Sequence, residues 1–284
     1  MRPSNEIRME AMKMLTGTRW FWRIIASYLI LSAVNFAVTS GLDHAYASLG
    51  VQTWETFAEA YKKAQSAGLD LAVPAGREAW RMTLASSFQT LVQFLFSGIM
   101  LFGFVAVLLR CVRNEAEGWF RDSLSGFRQP IAMLWLTLLM TLKVLLWALL
   151  FIVPGIIALY RYSLAWYIKA ENPSLGAEAC LERSGAIMEG RKWQLFTFSL
   201  WYLFLFLMAL IPAIFGSAVA KIAATVTGSA DSLVVKIALI TGQIVSQVLL
   251  VVVIANAGVG QAVFYRDAKA EAEAENGANG QMIE

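Results

Sequence analysis

The sequence predicts an all-α fold: a polytopic transmembrane bundle of about six spans, with amphipathic interfacial helices on its cytoplasmic side. Three observations predict it. Hydrophobic residues make up 58% of the 284-residue chain and charged residues 15%, with a mean hydropathy of +0.59. A soluble domain is nearer half apolar and a quarter charged. Apolar runs long enough to cross a bilayer, roughly 20 residues each, recur along the chain, and the stretches between them are edged with Trp, Tyr, Lys and Arg as at a membrane interface.

In chain order, Ile7, Ala11, Met14 and Leu15 share one helical face, an amphipathic opening rather than a cleavable signal peptide. Arg19, Trp20, Trp22 and Arg23 form a basic-aromatic belt, and a first span follows over about 20–40. Residues 41–81 read as an outer loop in which Trp54, Phe57, Ala58 and Tyr61 are helically spaced. A second span covers about 84–109. Phe120, Leu124 and Phe127 mark another amphipathic stretch, stopped by Pro130 before a third span over 131–153. Pro154-Gly155 predicts a helix break, after which a shorter segment, 156–168, returns the chain as a marginal fourth span or a re-entrant turn. Ser174 is placed to cap a helix running to about Glu189. The fifth span, 193–211, is closed by Pro212, and the sixth covers 233–257. The Ala/Glu/Gly-rich segment 266–284 reads as a disordered tail on a single membrane domain, 1–265.

Lys and Arg set the orientation. With both termini inside, the outer side keeps only Lys62, Lys63, Arg77, Arg81 and Lys221, so the expectation is a multi-pass protein of the cell inner membrane, N and C termini cytoplasmic. A net charge of +3 is too small to suggest nucleic acid, leaving membrane lipids and other membrane proteins as the expected partners. Cys111 and Cys180 read as reduced thiols, and the single His44 excludes a His-rich metal cluster. No phosphate-binding loop, zinc-protease or nucleophile-elbow motif is present. The expectation is therefore no enzyme and no cofactor.

A small pattern recurs where amphipathic stretches meet spans. Gly17 and Arg19, Gly126 and Arg128, and Gly190 with Arg191 and Lys192 each pair a helix-ending glycine with a following cation. It reads either as a cytoplasmic collar binding lipid or a partner, or as the ordinary way to turn a chain from surface into membrane.

One longer stretch carries a resemblance. Leu146-Trp147, Pro154-Gly155-Ile156-Ile157, Tyr162-Ser163, Asn172-Pro173, Ser184, Met188, Gly190 and Lys192-Trp193 form a family-like core over 143–193. Leu15-Thr16-Gly17, Leu124-Ser125-Gly126-Phe127 and Phe264-Tyr265 extend it. The pattern resembles an uncharacterised bacterial integral membrane family, domain-of-unknown-function family nine-seven-five. It is distantly similar to the membrane portion of glycerophosphodiester phosphodiesterases, whose catalytic domain is absent here. The resemblance implies a multi-pass inner-membrane protein and supplies no activity.

Two charges stand out. Lys143 falls inside the third span, where a charge is costly unless it finds water or a partner, and no acid lies well inside any span. With Arg161 as companion it suggests an anion or lipid-phosphate site. Both side chains snorkelling to an interface is the other reading. The sequence thus leads to a non-enzymatic protein organising or regulating membrane partners or lipids, with a small transporter or lipid-translocating protein, using Lys143 and Arg161, as the alternative.

Overall fold

The computed structural model describes residues 2–16, 20–66, 68–69, 72–74, 76–115, 117–227 and 232–278. Every regular element among them is helical: α1 (Ser4–Thr16), α2 (Trp20–Ser48), α3 (Trp54–Ser66), α4 (Arg77–Arg113), α5 (Trp119–Ser123), a 3-10 turn (Ser125–Arg128), α6 (Pro130–Leu150), α7 (Ile152–Tyr162), α8 (Ala165–Glu171), α9 (Ala177–Ile187), α10 (Lys192–Thr227) and α11 (Leu233–Ala278). The chain is an all-α helical bundle.

Five of these helices, α2, α4, α6, α10 and α11, are long and apolar enough to cross a membrane. The marginal fourth span expected over 156–168 is not one helix. The passage is split into α7 and α8, and the 11 residues of α7 reach only about 16 Å, half of a hydrocarbon core of roughly 30 Å. Together the two still carry the chain back through the bundle. The α8 terminus, Glu171, meets Arg113 at the end of α4 and Lys269 late in α11. Both termini gather at this same end: Arg2 Nε donates to Asp267 at 3.0 Å, and Arg266 reaches Glu10 at 3.0 Å.

The break expected at Pro154-Gly155 falls earlier. Phe151 is extended (φ −160°, ψ 152°) and separates α6 from α7. Pro154 stands in the first turn of α7, where a missing N–H costs no intrahelical bond. Gly155 lets α7 lie against α6, since a Cβ there would come within 2.7 Å of Ala148 Cβ. The second break, between α7 and α8, is bridged from α9: Ser184 Oγ donates to the Arg161 carbonyl at 2.8 Å and accepts from the Leu164 N–H at 3.2 Å. Helix α9 starts after Gly176 rather than at a Ser174 cap.

The segment expected as a disordered tail departs from that reading as far as Ala278, because α11 continues through it. Its Ala-rich face packs on α1, with Ala268 and Ala272 buried, and its acids meet Arg2 and Arg191.

Burial is uneven along the bundle. On α4 the buried residues crowd from Gly98 to Cys111, and the core cluster there joins Ile7, Leu108, Leu164, Met188 and Phe264. Toward the far end, Leu84, Phe88, Leu145, Ile214, Ile237 and Ile244 point outward and are exposed. Exposed apolar surface on this scale is what a lipid-facing bundle presents. The terminal end packs like a domain interior, while the far end offers hydrocarbon to its surroundings.

Candidate functional site

Where the packed end gives way to the lipid-facing end, the helices leave a cavity of about 810 Å³ between α2, α4, α6, α7, α8, α10 and α11. Along α4 it runs from Ser97 to Leu108, about 16 Å at helical rise. The split return passage makes the room. The α7–α8 break turns Tyr160 and Ser163 toward the cavity, and α8 brings Trp166 and Tyr167 to its floor. Gly258 of α11 keeps the opposite wall thin, lying against Leu108 and Phe104.

Among the described residues, no charged side chain lines this cavity. Most of the wall is apolar, with two polar groupings. Ser32, Asn35 and Ser97 are exposed and lie at the end of the cavity away from the termini. Trp166, Tyr167, Ser199 and Gln261 lie at the floor nearest the termini. Trp166 is 6% and Tyr167 2% exposed. Among the described residues, neither the Tyr167 hydroxyl nor the Trp166 indole N–H has a hydrogen-bond partner, and the side chains of Ser199 and Gln261 have none either. Ser199 and Gln261 are half-buried, and the enclosed side-chain polar atom without a partner among the described residues is Ser125 Oγ, away from this cavity. The floor's polar atoms are therefore open to the cavity and free to bond an occupant.

Below it, the Tyr167 ring stacks on Tyr265 with centroids 5.3 Å apart. Beyond that stack lies a separate pocket of about 210 Å³ holding Arg113, Glu171, Arg266, Lys269 and Glu273. Glu171 organises it: Lys269 donates to it at 2.5 Å, the Tyr265 hydroxyl at 2.8 Å, and Arg113 pairs with its other oxygen. Burial pushes the Glu171 carboxyl up, but the hydrogen bonds from Lys269 and Tyr265 and the charges of Lys269 and Arg113 outweigh it, holding the group below the ordinary glutamate value. The charges of this end thus neutralise one another outside the cavity.

The charges singled out in the sequence lie elsewhere. Lys143 does have an acidic partner, against expectation: Glu178 at the start of α9, 3.7 Å away. Sequence distance hid it, because Glu178 is outside every span and α9 packs alongside α6. Arg161 is exposed, with its guanidinium 5.8 Å from the Tyr162 ring and its chain against Gly185. Their neighbours on α9 are seven residues apart, about 10 Å, and neither cation lines the cavity.

Of the collar residues, Gly17 and Arg19 lie outside the described residues. Gly126 is buried, so close to α4 that a Cβ would sit 2.2 Å from the Ile99 carbonyl oxygen, and Arg128 is exposed. Gly190 adopts φ +73°, ending the turn after α9. Arg191 points inward rather than to headgroups: it donates to the carbonyls of Ile187 (3.1 Å) and Glu189 (3.3 Å) and pairs with Glu275 at 2.8 Å and Glu271 at 3.4 Å. Lys192 is half-buried.

Sequence reasoning missed the floor. Trp166 and Tyr167 sat in an aromatic run that reads as an interface belt, and Gln261 lies just past the expected end of the sixth span. A cue existed only in that Trp166, Tyr167 and Gln261 are polar tips in otherwise apolar company.

The family model described as "Protein of unknown function (DUF975)" matches residues 1–160, more than half of the 284-residue chain. No curated protein and no solved structure matches.

Proposed function

The chain belongs to the DUF975 family of proteins of unknown function, and from that premise we propose that it is a non-enzymatic, lipid-binding protein of the bacterial inner membrane, with its gathered termini in the cytoplasm. The single observation that carries this reading is the uncharged, largely apolar cavity of about 810 Å³ at the boundary between packed core and lipid-facing surface. Its size is that of a small-molecule site. Its wall suits hydrocarbon, and its exposed mouth at Ser32, Asn35, Ser97, Leu101 and Leu159 lies at the level of the lipid-facing helices. Organising or regulating lipids then means withdrawing part of a lipid from the bilayer and holding it. The orientation rests on the Lys and Arg bias. The distant likeness to the membrane portion of glycerophosphodiester phosphodiesterases remains a resemblance.

Anion translocation through Lys143 and Arg161 draws less support. Lys143 is paired with Glu178, and neither cation reaches the cavity.

The test fills the cavity. Ala257 lines it, and Ala257→Phe should abolish lipid retained in native mass spectrometry of protein extracted with minimal delipidation. Lys143→Ala should retain it. A folded Ala257→Phe protein with wild-type lipid occupancy would overturn the reading. Loss on Lys143→Ala instead would favour the anion site.

A further inference from the structure

We infer that the cavity selects an uncharged lipid bearing hydroxyl or ester groups, of the diacylglycerol class, with its polar end against Trp166, Tyr167, Ser199 and Gln261. This rests on the lipid-binding reading and names the ligand class of that site. The floor offers a phenol, an indole N–H, an aliphatic hydroxyl and a primary amide, without a hydrogen-bond partner among the described residues. They are donors and acceptors mixed, which matches a group that both gives and takes hydrogen bonds. These atoms open onto the cavity, so an occupant of matching chemistry gains a hydrogen bond from each one it pairs.

Charge decides against a phospholipid headgroup at this floor. A phosphate buried among neutral side chains would lose its hydration with no cation to compensate. Arg113, Arg266 and Lys269 lie in the separate pocket beyond the Tyr167–Tyr265 stack, and Arg8, over the Trp201 ring of α10, does not line the cavity. Arg113 and Lys269 are engaged with Glu171, and Arg266 with Glu10 and Asp267. Geometry supplies the orientation. The floor lies toward the end where the charged residues gather, and the cavity runs about 16 Å along α4 to a mouth among lipid-facing residues. A lipid from the leaflet at the terminal end would enter with its polar end toward the floor and its chains toward the midplane.

The experiment uses the full-length protein in detergent, titrated with diacylglycerol or with phosphatidic acid of the same acyl composition and read by native mass spectrometry. Diacylglycerol should bind at least tenfold more tightly than phosphatidic acid. Tyr167→Phe keeps the ring and its stack but removes the hydroxyl. Both it and Gln261→Leu should weaken diacylglycerol by fivefold or more and leave phosphatidic acid unchanged. Equal or tighter binding of phosphatidic acid, or diacylglycerol binding indifferent to both substitutions, would overturn this inference while the lipid-binding reading stood. Binding of neither lipid would overturn both.

Discussion

Ser184 holds two backbone groups that the α7–α8 break sets free, one carbonyl and one N–H. Irregular backbone within a membrane bundle persists only where something inside the protein satisfies it. Ser184→Ala should therefore lower stability by about 2 kcal/mol, measured by equilibrium unfolding in detergent. Ser97→Ala, which removes a hydroxyl bonded only to the Phe94 carbonyl of its own helix, should change it by less than about 0.5 kcal/mol. Equal effects would mean that the break is held by packing instead. Lys169 plays a similar part at the next turn. Only 4% exposed, it donates to the carbonyls of Pro173 and Leu175 at 2.7 and 2.6 Å, so a basic residue placed by its position at a membrane edge is in fact a tie within the chain.

At the scale of elements, the terminal end is a set of helices pinned to the extension of α11. α1 is held through Glu10, which takes Arg2 and Arg266, and α8 through Glu171, which takes Arg113 and Lys269. Burial pushes both carboxyls up, but the hydrogen bonds from Arg2 and Arg266 to Glu10, and from Lys269 and Tyr265 to Glu171, outweigh it, so each folded value lies below the ordinary 4.5. A carboxyl depressed in the folded state contributes stability in full above its unfolded value, and that contribution is lost as pH falls through the folded value. Thermal unfolding midpoints should thus hold steady down to about pH 5 and then drop on further acidification. The double variant Glu10→Gln, Glu171→Gln should start lower and show a flatter acid limb. An acid limb unchanged in the variant would place the sensitive groups elsewhere.

For the whole molecule, a split return that crosses with the five long helices would make the number of passages even. Five long helices alone would leave the termini on opposite sides, yet Arg2 meets Asp267 and Gln194 donates to the Arg2 carbonyl. A crossing through α7 and α8 is the threading expected from that contact, and it can be tested. Single cysteines introduced at Gln52, in the loop before α3, and at Glu189, in the turn after α9, should react with impermeant reagents from opposite sides of a sealed vesicle. Cys111 and Cys180 are buried and should stay silent. Reaction of both introduced thiols from one side would refute the threading.

How much was legible follows from the range of each interaction. Composition and runs of apolar residues report solvent preference, a local property, so the helical bundle and the starts of α2, α6, α10 and α11 could be read from the chain. Helix α4 begins seven residues before the expected 84, and α10 runs through Pro212 to Thr227 instead of ending at the proline. The amphipathic period of Ile7, Ala11 and Leu15 likewise marked the face of α1 that is buried. Partners far apart in sequence were not legible. Glu178 beside Lys143, Glu271 and Glu275 on Arg191, and α1 against the end of α11 each depend on how helices pack. The same is true of the helical state of the stretch after Arg266, whose composition alone suits disorder. The cavity belongs wholly to the tertiary structure. Its wall is drawn from seven helices, and a void exists only in the space that their packing leaves between them.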